Sequence, residues 1–132
     1  MLFAITMLMA AQPEGVKPNC DGNTIEIDAC FAERLQRAEA TLHKYETAAI
    51  VRNFDNSAVR LGLEASKAAF AAYQQTECAT VYEAWKDGTI RVQMSLSCQI
   101  DLTDERTHHI WQHWLQYMDS TPPVLPEPKP TK

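Results

Sequence analysis

Apolar or small residues recur every third or fourth position along one stretch of the chain, and this spacing constrains the fold more than any other feature. A stripe of this kind covers one face of an α-helix. Asn23 and Glu26, just before the stripe, have the spacing of a capping box, although Thr24 is an alternative N-cap, so we expect the helix to begin near Thr24. The stripe consists of Ile27, Phe31, Leu35, Ala38, Leu42, Tyr45 and Ala49.

A second stripe with similar spacing follows a short interruption. The stretch Phe54-Asp55-Asn56-Ser57 breaks the first stripe and can cap a new helix. Because the connection between two long amphipathic helices is short, we expect them to form an antiparallel hairpin. This helix should end near Lys86-Asp87-Gly88-Thr89, with Gly88 as its C-cap. The second stripe consists of Val59, Leu63, Ser66, Phe70, Tyr73 and Val81.

A third helix completes the predicted domain. Residues 90–97 are ambiguous between an extended turn and the start of a helix. From about Cys98 the pattern predicts a helix that runs through Ile110 and Trp114 to about Met118. The sequence therefore predicts an all-α domain over residues 20–119, in which a third helix packs across the hairpin.

Both ends of the chain are expected to lie outside this domain. Residues 1–11 form an apolar run that ends at small residues, as in a signal peptide, although no basic segment precedes it. The run is too short to cross a bilayer, so we do not expect an integral membrane protein. Residues 12–19 are predicted to be a linker. The proline-rich residues 120–132 are predicted to be a disordered tail in polyproline-like conformations.

The four cysteines indicate the compartment. An even number in a small chain favours two disulfides and hence an oxidising location, periplasmic or secreted. If the two stripes pair along their length, Cys30 arrives beside Cys78, which leaves Cys20 with Cys98. Local pairing, Cys20 with Cys30 and Cys78 with Cys98, remains open.

Charge and motifs limit the class of function. The net charge is −5 and the pI is about 5.3, which argues against a nucleic-acid partner because phosphate contacts need clustered Lys and Arg. No nucleophile with an activating base and no glycine-rich phosphate loop is present, and carboxylates such as Glu46 are interpreted as solvated. His109 and His113 are four apart, but two ligands make a weak metal site. We therefore expect no enzyme, no cofactor and no metal.

The ordered set of segments resembles the LprI-type lysozyme inhibitors, a family of small secreted or periplasmic bacterial proteins. Thr103 and Arg106 stand at the places of the Thr-x-x-Arg ending of that family. Two departures lie on the second helix, where the family usually has Trp in place of Phe70 and Arg-Asp in place of Gln74-Gln75. The segments that carry the resemblance are CDGNTIEIDAC at 20–30, AEATLHKY at 38–45, SKAAFAAYQQTEC at 66–78, DGTI at 87–90 and CQIDLTDER at 98–106.

The resemblance implies a secreted helical domain and, for some members, inhibition of lysozyme. If the usual Arg-Asp pair supports a salt bridge near the cysteines, neutral amides replace it here. If the pair instead belongs to a partner surface, the departure affects the activity itself.

The expected partner is thus a protein, in particular a basic lysozyme-like cell-wall hydrolase whose cleft the chain would occlude. The candidate contact surface is the turn formed by Trp85, Lys86, Asp87, Gly88 and Thr89.

An alternative is an envelope protein with a structural or docking role and no inhibitory activity. Exposed apolar area around Trp111 and Leu115 would favour that alternative. At helical spacing Trp114 is expected to pack into the core, whereas Trp111 projects away and is the better candidate for an exposed contact.

Overall fold

The computed structural model describes residues 15–132 and contains three α-helices joined by short turns. Helix α1 spans Thr24–Arg52, α2 spans Ser57–Ala84 and α3 spans Arg91–Trp114. Residues 15–132 contain no β-strand, so the predicted all-α architecture is confirmed. The predicted signal peptide, residues 1–11, lies outside the described residues. No helix of the described part is both long and apolar enough to cross a membrane.

The start of α1 is fixed by the predicted capping box. Asn23 is the N-cap, and its Oδ1 accepts a hydrogen bond from the Glu26 backbone N–H at 3.0 Å. In return, Glu26 Oε2 accepts from the Asn23 N–H at 2.9 Å. Gly22 lies so close that a Cβ at this position would be 2.0 Å from Glu26 Oε2. The missing side chain therefore leaves room for the Glu26 carboxylate to reach back to the cap.

Helix α3 differs in its bounds from the predicted third helix. It begins at Arg91, so the ambiguous stretch before Cys98 is helical. Val92, Leu96 and Ile100 continue the apolar spacing backwards by helical steps, which explains why the helix extends to the turn. It ends at Trp114 rather than near Met118, because the chain folds back and the Val124 N–H donates to the Leu115 carbonyl at 2.8 Å.

Helix α3 packs against both other helices, whereas α1 and α2 make few contacts with each other. Close to the α1–α2 turn, the three helices share a buried cluster. Farther from that turn, the apolar stripe of α1 faces α3 more than α2. The hairpin is therefore present, and the third helix contributes the larger part of the surface that covers α1. The buried cluster consists of Tyr45, Ala49, Leu63, Ile110 and Leu115.

Two disulfides hold the end of the bundle that contains the α2–α3 turn. They join Cys20 to Cys30 and Cys78 to Cys98, with Cα–Cα distances of 5.4 and 5.6 Å. The pairing that the hairpin register favoured, Cys30 with Cys78 and Cys20 with Cys98, is wrong. That register assumed that α2 lies along the whole of α1, whereas α3 takes much of this position.

The proline-rich tail differs from its sequence-based description, because residues 120–132 lie against α1 and α3. The Trp111 indole N–H donates to the Leu125 carbonyl at 3.0 Å, and the Tyr45 hydroxyl donates to the Pro126 carbonyl. The Thr131 N–H and hydroxyl both donate to the Asp104 carboxylate at 2.7 Å. An extended proline-rich segment has no internal backbone hydrogen bonds, so its carbonyls are free to accept from side chains of the helices.

Candidate functional site

The turn between α2 and α3 presents the predicted partner-binding residues to solvent. Trp85 is the C-cap of α2 and is 42% exposed. Lys86, Asp87 and Thr89 are exposed, and Gly88 is half-buried. The structure thus brings all four predicted contact residues, Trp85, Lys86, Asp87 and Thr89, to one surface.

Short-range bonds hold this turn in place. The Gly88 N–H donates to the Trp85 carbonyl at 2.8 Å, and Arg91 Nη1 donates to the Lys86 carbonyl at 3.1 Å. Behind the turn, the Cys78–Cys98 disulfide joins the last turns of α2 to the first turns of α3. Because the disulfide brackets the turn, a partner meets a surface whose conformational entropy is already reduced.

The turn and its flanks carry two acidic and two basic side chains, Glu83, Asp87, Lys86 and Arg91. Lys86 Nζ lies 3.8 Å from the carboxylate of Glu83, an exposed neighbour on α2, which offsets the lysine charge. Within residues 15–132, Asp87 forms no salt bridge. The carboxylate of Asp87 is therefore available to a cationic group on a partner.

A buried polar network lies farther along the bundle and includes the arginine of the Thr-x-x-Arg segment. Glu46 is only 4% exposed, so the interpretation of this residue as solvated is wrong. Arg106 Nε lies 3.6 Å from Glu46 Oε1, and Lys67 Nζ lies 3.9 Å from Oε2. Arg106 also donates to the Ser66 hydroxyl at 2.9 Å, and its guanidinium lies 5.7 Å from the centre of the Phe70 ring. A sequence signal was present, since Glu46 is directly next to a residue of the apolar stripe.

The threonine of the same segment joins α2 to α3. Gln74 Nε2 donates to Thr103 Oγ1 at 2.6 Å and to the Gln99 carbonyl at 2.9 Å. The Thr103 hydroxyl is fully buried and donates to the Gln99 carbonyl at 2.7 Å. The family usually has Arg-Asp where this chain has Gln74-Gln75. Of these two amides, Gln74 contacts α3 inside the bundle, whereas Gln75 is exposed to solvent.

A family model described as lysozyme inhibitor LprI matches residues 17–110. The matched range contains all four cysteines, the α2–α3 turn, Thr103 and Arg106. The chain belongs to the LprI family. Neither the curated proteins nor the solved structures contain a match to it.

The histidines of this LprI family member do not form a metal centre with acidic or cysteine side chains. Within residues 15–132, no group of three or more His, Cys, Asp or Glu side chains is arranged to hold a metal ion. The rings of His109 and His113 are 4.3 Å apart at the surface. Desolvation lowers the pKa of His109, and the neighbouring charges of His113 and Arg106 lower it further.

The aromatic residues near the end of α3 are covered rather than free. Trp111 is half-buried under the tail, and Leu115 is fully buried. Trp114 packs against the buried cluster, as the sequence predicted. Trp111 and Leu115 themselves therefore offer little of the exposed apolar area that would favour the envelope-docking alternative, although Tyr117, Met118 and Val124 nearby are exposed.

Proposed function

We propose that this LprI family member is a secreted or periplasmic binding protein that inhibits a lysozyme-type cell-wall hydrolase. In this proposal the protein blocks the glycan-binding cleft of the hydrolase and catalyses no reaction itself. The observation that carries the proposal is the family match over residues 17–110. The two disulfides support the location, because such bonds persist in oxidising compartments.

The α2–α3 turn is the surface that we assign to the hydrolase. It is exposed, it is bracketed by the Cys78–Cys98 disulfide, and it carries an aromatic side chain near the Asp87 carboxylate, which forms no salt bridge with residues 15–132. A tryptophan surrounded by polar groups is a frequent anchor in protein interfaces. In this proposal Trp85 anchors the turn at the glycan cleft and Asp87 contacts a basic group at its edge.

The charge of the chain supports a basic partner. A net charge of −5 accelerates encounter with a cationic enzyme and makes the association sensitive to salt. Inhibition should therefore weaken as the ionic strength rises.

The proposal is tested with a turbidity assay, in which several types of lysozyme lyse a peptidoglycan suspension. The purified protein is added in molar excess over each lysozyme. The wild-type protein should slow lysis, and Trp85→Ala or Asp87→Ala should weaken inhibition about tenfold or more, the effect of losing an interface anchor.

Phe54→Ala and Asp55→Ala provide matched controls, because they remove an exposed aromatic ring and a carboxylate from the α1–α2 turn at the other end of the bundle. These controls should inhibit as well as the wild type. Undiminished lysis by every lysozyme type would contradict the proposed function. Equal inhibition by wild type and Trp85→Ala would contradict only the assignment of the turn.

A further inference from the structure

We propose that a cleft beside the α2–α3 turn binds the side chain of a lysine or arginine on the partner hydrolase. This inference rests on the proposed function and adds a second contact to it. The cleft lies between the first half of α1, the start of α3 and the segment that precedes α1, and its volume is about 470 Å³. Its lining consists of Val16, Pro18, Ile25, Asp28, Ala29, Ala32, Glu33, Gln36, Val92 and Leu96.

The lining is mostly apolar but contains one unusual polar atom. Asp28 Oδ1 is buried and accepts no hydrogen bond from any residue in the range 15–132. A buried oxygen without a donor is destabilising, and native proteins usually satisfy such atoms. Asp28 is half-buried and thus gives the cleft a carboxylate whose hydrogen-bonding capacity the described residues leave unused. Because Oδ1 itself is removed from solvent, a donor in the cleft reaches it only when the carboxylate turns toward the cleft.

The charges around the cleft favour a cation. Asp28 and Glu33 are the two ionisable residues that line it, and both are acidic. Glu33 is exposed and already pairs with Arg37 at 3.0 Å. Asp28 is therefore the lining carboxylate that still has an oxygen without a donor among the described residues. An anionic ligand would be repelled, and a neutral apolar ligand would leave Asp28 Oδ1 without a donor.

A lysine or arginine side chain matches both properties of the cleft. Its aliphatic stem can lie along the apolar wall formed by Ala29, Val92 and Leu96, while its charged end donates to Asp28. Val92 follows the α2–α3 turn by only a few residues, so one partner can contact the turn and the cleft together. This continuity is why we assign the occupant to the hydrolase.

The cleft is first tested without the hydrolase, by NMR titration of the intact protein with three probes of equal chain length: hexylammonium, hexanol and hexanoate. Hexylammonium should bind about tenfold more tightly than hexanol, as for a hydrogen bond to a charged group, and should shift the methyl signals of Ala29, Val92 and Leu96. Hexanoate should bind most weakly.

Asp28→Asn should abolish the preference for hexylammonium, whereas the matched control Glu33→Gln should retain it. Ala32→Leu, which fills the cleft and keeps Asp28, should weaken binding of both hexylammonium and hexanol. Circular dichroism establishes that each variant is folded. The same affinity for hexylammonium and hexanol in the wild type, or an unchanged preference in Asp28→Asn, would overturn the proposal.

The hydrolase is then tested by calorimetry with a basic lysozyme that the wild-type protein inhibits. Asp28→Asn should weaken binding about tenfold, as in the probe titration, while Glu33→Gln should not. If Asp28→Asn binds like wild type and Trp85→Ala does not, the cleft is refuted and the proposed function stands. If the wild type binds no lysozyme at all, the hydrolase is excluded as the occupant, and the hexylammonium titration still decides whether the cleft binds an aliphatic cation.

Discussion

The pair formed by Glu46 and Arg106 shows how one residue of a family motif acts inside the fold. Glu46 belongs to α1 and Arg106 to α3, so their contact joins the two helices that share the largest surface. Both side chains are largely removed from water, with 5% and 14% of their area exposed. A charge buried this far is tolerated only when an opposite charge stays beside it.

Replacement of Arg106 by Met should therefore destabilise the protein by about 3–5 kcal/mol, because the buried Glu46 carboxylate loses its closest partner. Arg37→Met is the matched control, since Arg37 pairs with Glu33 at the surface, and it should cost at most about 1 kcal/mol. The measurement is urea unfolding followed by circular dichroism. Equal losses in the two variants would show that burial of the Glu46–Arg106 pair is unimportant.

His109 makes the stability sensitive to acid. Its pKa in the folded protein lies below the ordinary value of 6.5, so the folded state binds a proton less readily than the unfolded chain. The contribution of neutral His109 to the free energy of unfolding is therefore fully present above about pH 6.5. It decreases as the pH falls from the unfolded pKa through the folded pKa.

From about pH 7.5 to about pH 5.5 the free energy of unfolding should fall, and it should fall less in His109→Gln. The effect should be modest, because the ring is exposed. An NMR titration of the His109 ring gives the pKa directly, and a midpoint at or above 6.5 would contradict the prediction.

At the scale of the helices, glycine has opposite effects at two positions. Gly22 leaves room for the capping box of α1. Gly62 lies in the middle of α2 on its exposed face, and a Cβ added there would have no atom within 4 Å. Gly22→Ala should cost about 1 kcal/mol by displacing Glu26 from the cap.

Gly62→Ala should instead stabilise the protein by about 0.5–1 kcal/mol, because alanine loses less backbone entropy in a helix. Thermal unfolding of both variants provides the measurement. A Gly22→Ala variant at least as stable as the wild type would contradict the contribution of the cap, and a destabilised Gly62→Ala variant would contradict the entropic effect.

The tail acts as a structural element although it has no regular secondary structure. Leu125 packs against the buried cluster, while its neighbour Val124 is 40% exposed. Leu125→Ala should destabilise the protein by about 1–2 kcal/mol and expose Trp111 to water, with a red shift of the tryptophan fluorescence.

Val124→Ala is the control for this change and should have little effect on either the stability or the fluorescence. If the two variants unfold alike, packing of the Leu125 side chain does not contribute to the stability of the domain.

At the scale of the whole molecule, the disulfides and the proposed binding surface lie at the same end. The Cys78–Cys98 bond spans 20 residues and the Cys20–Cys30 bond spans 10, and removal of either should cost about 3 kcal/mol through the entropy of the unfolded chain. Their effects on inhibition should differ, because the Cys78–Cys98 bond brackets the α2–α3 turn with its anchor Trp85, whereas the Cys20–Cys30 bond holds only the segment that borders the cleft.

The double variant Cys78→Ala/Cys98→Ala should therefore lose inhibition more strongly than Cys20→Ala/Cys30→Ala of comparable stability. Turbidity assays at a temperature where both variants stay folded provide the comparison. Equal inhibition by the two double variants would indicate that the Cys78–Cys98 bond only stabilises the fold and does not shape the contact surface.

The sequence by itself determined the helical class, the capping box at Asn23, the approximate limits of α1 and α2, and the LprI family. These properties depend on spacing between near neighbours, which a helix converts directly into a face or a cap. The place of the α2–α3 turn also followed from the sequence, because glycine and polar residues interrupt the apolar stripe there, whereas the exposure of Trp85 is known only from the structure.

Only the tertiary structure decided the disulfide pairing, the burial of Glu46, the position of the tail and the cleft at Asp28. Each depends on which helix covers α1, and the amphipathic stripes of α2 and α3 are both suited to do so. The periodicity of one helix states which face is buried but not which partner buries it. Because α3 takes much of this place, Cys30 pairs with Cys20, and Glu46 becomes the partner of Arg106.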